Sequence, residues 1–399
     1  MDSRRKFIGT MASGLATTLA SQGVLGANDR IRIGVIGAGA RGSELIHWAS
    51  ACPNVELAAV ADIYARRLED ARKLLPNAAV YRDHRRLLDD QNIDAVIIAT
   101  PQHLHAEHFV DSLTAGKHVY LEKTMAFTVE HAQRMRAAYR QAAPRTVQIG
   151  HQACSSGQMT DALGFLAGGQ VGRITAIHMR MFRNSPRGKP QWSRPVYPDM
   201  LPENVAWKAF LGEAPQRDFD PNRYLNWRLY SDYSGGNVCE NMCQQLSFWY
   251  QALRLRIPSA VTMTGGVYLW KDGREVPDTM TVVLEQPEEM LITWDSGFGN
   301  NHLGVTEDVL GTDGTITRGA SIRYAPQKVN RPDGSEIAGR TVAAPNAHMR
   351  NFIDCIRSGR EPNCPFELGY RVSIACRMAV ESYRAARTVR WNAKREAMV

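Results

Sequence analysis

Ile31-Arg32-Ile33-Gly34-Val35-Ile36-Gly37-Ala38-Gly39-Ala40-Arg41-Gly42 is the stretch that decides the fold. Its first half is β-branched and alternating, the pattern of a strand. Three glycines follow at once, and Ser43 to Cys52 then places Leu45, Ile46 and Ala49 on one helical face. A strand, a glycine turn and a helix in this order make a dinucleotide fingerprint. Gly37 allows the tight turn, Gly39 lets the backbone approach a pyrophosphate, and Gly42 lets helix and strand pack closely. Ala38, Ala40 and Arg41 complete the phosphate-facing loop at the helix N-terminus, where free N–H groups favour an anion. Val55 to Ala61 reads as the second strand and ends in Asp62, 20 residues past Gly42. An acid there binds an adenine-ribose 2′-hydroxyl and repels a 2′-phosphate, which favours NAD. Arg66 and Arg67 keep NADP as the alternative.

The alternation continues. Asp94 to Thr100 reads as a buried parallel strand, Leu104 to Ala115 as a helix, His118 to Leu121 as a strand, Thr128 to Ala142 as a helix and Thr146 to Ile149 as a strand. This predicts a doubly wound parallel Rossmann sheet over residues 30–150, with ligands bound beyond the carboxyl ends of its strands. Thr100-Pro101, Glu122-Lys123 and His151-Gln152 lie at those ends, and His105 follows closely.

The chain has 399 residues with 44% hydrophobic and 22% charged, ordinary for soluble domains and long enough for two or three of them. Forty-eight Lys and Arg against 40 Asp and Glu give +8, without a run of five like charges, so no nucleic-acid partner is expected. Seven cysteines form no CxxC pair and match no zinc spacing, so neither a disulfide framework nor a metal site is expected. Residues 1–27 read as an export signal: Ser3-Arg4-Arg5-Lys6-Phe7-Ile8 is a twin-arginine pattern, and no charge occurs between Lys6 and Asp29. The apolar stretch is too weak for a membrane span. A periplasmic or exported protein, carried folded by the twin-arginine machinery, is the expectation.

Two further segments carry a resemblance. Thr100-Pro101-Gln102-His103-Leu104-His105 is followed by Ala115-Gly116-Lys117-His118-Val119-Tyr120-Leu121-Glu122-Lys123. With the glycine motif, the chain resembles the Gfo/Idh/MocA oxidoreductases, which include glucose–fructose oxidoreductase and inositol dehydrogenase. The resemblance extends over nearly all of residues 30–390, including Gly311-Thr312-Asp313-Gly314-Thr315 and the helix His348 to Gly359. It implies an α+β second domain over residues 151–390, with an open, mostly antiparallel sheet whose outer face makes a homo-oligomer. Ile174 to Phe182, Ala260 to Trp270, Thr279 to Glu285, Met290 to Phe298 and Val309 to Thr317 are its candidate strands. It also implies that Lys123 lies near a nicotinamide and a substrate hydroxyl. Burial could lower that amine's pKa toward neutrality and make it a proton acceptor.

The sequence departs from the family pattern twice. Thr124 replaces a proline, and in Glu240-Asn241-Met242-Cys243-Gln244 the glutamine takes the position of a histidine. Glu240 and Gln244, at i and i+4, share a helical face and can reach one ligand. Gln244 orients a hydroxyl but cannot titrate, so proton transfer falls to Lys123 with Glu240, Tyr233 or His151. Residues 183–234 hold seven of the 19 prolines together with Trp192, Trp207, Trp227, Tyr197, Tyr224, Tyr230 and Tyr233. This reads as an ordered excursion covering a site or a neighbouring subunit. Its Arg187, Arg194, Arg223 or Arg228 can bind hydroxyls or a carboxylate.

The expected function is an exported NAD(P)-dependent oxidoreductase acting on a secondary alcohol of a sugar, glycoside or cyclitol, with a tightly held cofactor. One alternative is an NAD-dependent glycoside hydrolase or lyase working by transient oxidation at C3 and elimination. Another is a non-catalytic nucleotide- or sugar-binding protein.

Overall fold

The computed structural model describes residues 30–344 and 346–399; the expected export signal lies outside the described residues. Strands β1 (Ile31–Ile36), β2 (Val55–Ala61), β3 (Ala79–Tyr81), β4 (Ala95–Ile98), β5 (His118–Leu121) and β6 (Val147–Ile149) form one parallel sheet. Their order is β3-β2-β1-β4-β5-β6. The expected strands are in place, and each residue of β4 is buried. The stretch between Asp62 and Asp94 holds three elements that the sequence pattern did not reveal: the helix Ala65–Leu74, β3, and the helix His84–Leu88. The first helix buries only Leu68 and Ala71, so its apolar stripe is too narrow to register as a period.

The strand order reverses between β1 and β4, which opens a crevice between the loops that follow them. These loops nearly touch. Gly37 has φ +93°, and a Cβ on it would lie 3.0 Å from the Ala99 carbonyl and the Thr100 methyl. The helix after the glycines begins at Ala40, earlier than the expected Ser43. Gly42 therefore lies in its first turn, pressed on the loop, where a Cβ would lie 1.9 Å from the Gly37 carbonyl oxygen.

The second sheet has ten strands. They are β7 (Ile174–Phe182), β8 (Ala260–Gly266), β9 (Thr279–Gln286), β10 (Met290–Gly297), β11 (Val305–Gly311), β12 (Gly314–Arg318), β13 (Ile322–Pro326), β14 (Ile337–Ala338), β15 (Val389–Asn392) and β16 (Ala397–Met398). The order is β14-β13-β12-β11-β7-β10-β9-β8-β15-β16. Strands β7 and β10 run parallel, and the other neighbours pair antiparallel. Two expected strands are corrected. Val309 to Thr317 is a hairpin of β11 and β12, turning at Thr312-Asp313. Strand β8 stops at Gly266, because the buried Asp278 carboxylate accepts from the backbone N–H of Tyr268, Leu269 and Trp270 and curls the chain around itself.

Alternation decides which face is covered. In β9, Met280, Val282 and Leu284 are buried while Thr281 and Glu285 are exposed. The helices Cys243–Ala252 and Phe366–Ala385 pack over the apolar face. The second of these also meets the first domain, where a Cβ on Gly369 would lie 2.5 Å from Ile149. One apolar core accordingly runs from Ile98 and Leu121 through Ile149 to Val282 and Trp294. The helix Ala347–Ser358, within the expected second domain by number, sends Met349, Phe352 and Ile353 into the core around Ile33, Leu45 and Ala95 of the first.

The excursion is ordered. Met200, Val205, Phe210, Tyr224, Tyr230 and Tyr233 make a small core of their own that takes in Tyr64, two residues past Asp62. Backbone bonds from Ala65 to Asn204 and from Ala206 to Ile63 stitch it to that loop, so the excursion is fixed over the crevice.

Gly42→Ala should cost at least about 1–3 kcal/mol, because rigid backbone on the facing side cannot retreat from the new methyl. Urea denaturation and nucleotide binding by calorimetry check it. Both stability and affinity should fall, since the same atom distorts the phosphate-facing loop.

Candidate active site

A cleft of about 860 Å³ opens beyond the carboxyl ends of β1, β2, β4 and β5, with the excursion as its far wall. Gly37, Gly39, Ala40, Arg41, Asp62, Thr100, Pro101, Glu122, Lys123, Glu240 and Gln244 line it, as the sequence led us to expect. The first turn of the helix carries no side-chain cap and no acidic residue, leaving its N-terminus to an external anion. Gly37 and Gly42 keep the floor open where any Cβ would collide. Asp62 accepts from the Ala38 N–H at 2.8 Å and from the Tyr64 N–H at 2.9 Å, which fixes its carboxylate at the loop's edge. These residues fit a dinucleotide.

The two arginines after Asp62 part company. Arg66 turns outward to Asp199 at 2.9 Å, whereas Arg67 lies over the cleft, 3.6 Å from Asp62 and bonded to the Tyr224 hydroxyl at 3.0 Å. On the opposite side Arg41 pairs with Glu122 at 2.8 Å and with Glu44 at 2.6 Å. Burial opposes the charge on Arg41, but Glu122, Tyr120 and Glu44 together overcome it and the guanidinium's pKa is raised.

The reactive end is built around Glu240. Its carboxylate accepts from Lys123 Nζ at 2.9 Å and from Gln102 Nε2 at 2.8 Å, and it pairs with Arg228, whose Nε lies 3.1 Å away. The residue is 5% exposed. Burial pushes its pKa up, yet Arg228 and Lys123 together overcome that and hold it down at about 2. Glu240 and Gln244 lie at the junction of a π-helical turn, Val238–Met242, with the helix Cys243–Ala252. Both still reach the cleft, and Gln244 Nε2 donates to the Glu240 carbonyl at 3.2 Å. The Lys123–Thr124 peptide is cis, and the Thr124 hydroxyl donates to the Cys239 carbonyl.

Several expectations are corrected here. Lys123 is not pulled toward neutrality: burial lowers its pKa, but the Glu240 carboxylate together with Cys243 and Glu122 overcomes this and the net shift is upward. Tyr233 does not face the cleft. It is fully buried against His103, Phe210 and Tyr230 in the excursion's own core. His151 is sealed in the interior, with its pKa driven down by burial to about 3. His105 is a brace, with ring nitrogens 2.9 Å from the carbonyls of both Thr124 and Thr100. Gln152 supports Glu122 from behind, donating to its carboxylate at 3.2 Å and to the Tyr120 hydroxyl at 2.8 Å. Ala38 and Gly42 shape the loop without lining the cleft.

Within the excursion Trp192, Arg194, Tyr224, Trp227 and Arg228 line the cleft. Arg223 instead pairs with Glu275 at 2.8 Å, and Arg187 is exposed away from the cleft. Sequence reasoning missed Gln102, Arg183 and Asn241 as site residues. Gln102 lay inside the quoted motif, but nothing local says that it meets a residue 138 positions later. Among the described residues His84, Glu107 and Asp111 are close enough to share a cation. Arg85 already occupies the two carboxylates, at 2.5 Å from Glu107 and 3.5 Å from Asp111, so the group is compensated within the protein. No helix of the described residues is long and apolar enough to cross a membrane.

Glu240→Gln should destabilise the protein by about 3 kcal/mol at pH 7, because two inward-facing cations lose their anion. Its carboxyl is more acidic folded than unfolded, so the contribution is complete above the unfolded value near about 4.3 and vanishes as pH falls toward the folded one. Urea titrations of both proteins should therefore converge between pH 4.5 and about 2.

Comparison with known proteins agrees with this geometry. Residues 31–151 match the family model described as oxidoreductase family, NAD-binding Rossmann fold. The chain is 29% identical over 185 residues to inositol 2-dehydrogenase of Salmonella typhimurium, covering 46% of this chain and 55% of that protein. It is 36% identical over 111 residues to a glycosyl hydrolase family 109 protein of Shewanella baltica, covering 26% and 24%. The matched regions thus span about half or less of these curated relatives. A levoglucosan dehydrogenase solved with NADH and levoglucosan superimposes with a TM-score of 0.71 at 19% identity, over 90% of this chain and 99% of the other, a likeness of fold. Residues 31–151 of this chain are thus similar, in sequence as in strand order and glycine turn, to the NAD-binding Rossmann domain of the Gfo/Idh/MocA oxidoreductases.

Proposed function

We propose that this protein is an NAD-dependent oxidoreductase acting on a secondary alcohol of a sugar, glycoside or cyclitol. The observation that carries the reading is the Lys123 amine, fixed 2.9 Å from Glu240 on the wall of the cleft whose floor is the Gly37 turn. The inositol 2-dehydrogenase relative and the levoglucosan dehydrogenase fold support a polyol or sugar substrate. Asp62, poised at the end of β2, supports NAD over NADP.

NAD bound in the cleft, along the Gly37 turn and Asp62, would supply the acceptor for the hydride that leaves the alcohol carbon. The protein's own part is proton management. The neutral Lys123 amine takes the hydroxyl proton, and the resulting ammonium rests on Glu240, which stays ionised throughout. In the reverse direction the same ammonium donates to a ketone oxygen. Gln244 orients a hydroxyl without titrating. Trp192 and Trp227 line the same cleft and offer it apolar ring surface.

The proposal includes export by the twin-arginine route, supported by residues 1–27. A periplasmic enzyme has no pool of free nicotinamide nucleotide to draw on, so it also includes a cofactor held through each cycle. Assembly through the exposed face of the second sheet, where Thr262, Thr281 and Leu291 lie open, completes it.

Protein purified without added nucleotide should release NAD, identified by mass spectrometry, and should show nicotinamide absorbance change with a polyol or glycoside. Lys123→Ala should lower kcat by at least a hundredfold while retaining the nucleotide. Aglycone release without net NADH would replace this reading with a redox-neutral glycosidase.

Because Glu240 raises the pKa of Lys123, alcohol oxidation should climb with pH through the alkaline range. In Glu240→Gln the amine loses that support, and the rising limb should move to lower pH in the log kcat/KM profile. An unmoved limb would remove Lys123 as the proton acceptor.

A further inference from the structure

Most cations lining the cleft are matched by carboxylates. Arg41 has Glu122, Arg67 has Asp62, and Lys123 and Arg228 share Glu240. Arg82, Arg183, Arg194 and Lys208 line the same cleft, and among the described residues none of them has a carboxylate within 4.0 Å; of these, Arg183 is the one bonded to Asn241, beside Glu240. Around Glu240, the three cations Lys123, Arg228 and Arg183 thus share one carboxylate. A guanidinium held partly out of water without an anion is costly. Its planar fork matches a carboxylate in two parallel hydrogen bonds.

Arg183 is also built into place. It follows β7 directly, and its N–H donates to the Gly297 carbonyl at 3.0 Å, which anchors the backbone. Its guanidinium donates to Asn241 Oδ1 at 3.1 Å. A buried chain of side chains dictates which way Asn241 points. Its amide nitrogen donates to Asn237 Oδ1, Asn237 Nδ2 donates to the Ser296 hydroxyl at 2.8 Å, and that hydroxyl donates to the Met181 carbonyl at 2.6 Å. Asn237, Asn241 and Ser296 are all under 5% exposed. With every donor in the chain directed away from Arg183, only oxygen is left to face it. Burial pulls the Arg183 pKa down, and Glu240 offsets this only in part. Arg194 stands at the mouth, where its backbone N–H and carbonyl are both bonded to Asn226, two residues from Arg228.

We propose that the substrate is an acidic sugar, a uronic acid or uronoside, whose carboxylate is received by Arg183 with Arg194 at the entrance. This rests on the oxidoreductase reading above and narrows its substrate class. The carboxylate fixes the ring, and the carbinol presented to Lys123 is a different carbon of the same sugar.

The test is direct binding to the purified holoenzyme, read by quenching of tryptophan fluorescence from Trp192 and Trp227. The probes are the methyl glycosides of glucuronate, galacturonate and mannuronate, each beside its neutral parent. At least one acid should bind tenfold or more tightly than its parent, with an advantage that shrinks as salt is added. Arg183→Gln should bring that pair to within about twofold. Arg183→Lys should recover only part of the preference, since a point charge lacks the fork. Circular dichroism and nucleotide content show that the variants are folded. Equal or tighter binding of every neutral parent, a preference that survives Arg183→Gln, or no binding of any probe would overturn the proposal. Because binding is read without turnover, the two readings fail separately. Tight acid binding with no nicotinamide absorbance change would count against oxidoreduction alone, and turnover of neutral sugars without acid preference would count against the acidic substrate alone.

Discussion

One buried carboxylate holds the reacting end together. Glu240 is the meeting point of three segments remote in sequence: Gln102 after β4, Lys123 after β5 and Arg228 on the excursion. Each of these donors is aimed inward by the structure around it. Without the carboxylate, two cations would face each other across a partly dry cleft, an arrangement that low dielectric makes unfavourable. The ion cluster therefore depends on the chain closing around it, and the closed cleft depends on the cluster.

The scaffold explains why the cluster can be so exact in position. Lys123 leaves the end of a buried parallel strand, and Glu240 leaves a π-turn packed beneath the Phe366–Ala385 helix. That helix rests on Ile149 and on β8 at once, so the two sheets share one core. The excursion is less deeply anchored, yet its own aromatic core is bonded to the loop next to Asp62. The wall that supplies Arg228 is thus tied to the wall that would hold the ribose end of a dinucleotide.

Much of this was readable from the sequence. The glycine turn, β1, β2, β5 and the carboxyl-end positions of Thr100, Glu122 and Lys123 follow from period and spacing, because local geometry dictates them. The placement of Glu240 and Gln244 together survives even though their turn is π-helical, since both remain on the cleft side. What stayed hidden depends on long-range packing. Tyr233, His105 and His151 are chemically capable residues near the right positions, and only the tertiary structure shows them sealed or spent on backbone carbonyls. Arg183 carries no motif; its significance lies in the buried Asn237 and Asn241 that orient it and in the carboxylate that it lacks.

The lysine marks the limit of reasoning from burial alone. Removing an amine from water lowers its pKa only while nothing charged replaces the solvent. Here Glu240 replaces it and, with Cys243 and Glu122, reverses the shift. Arg228 pairs with the same carboxylate oxygen that Lys123 uses, and its own charge opposes protonation of the lysine. The basicity of Lys123 is consequently a balance between a carboxylate from the second domain and a guanidinium from the excursion. Neither can be inferred from the strand that carries the lysine, and both are set by the way the chain closes over it.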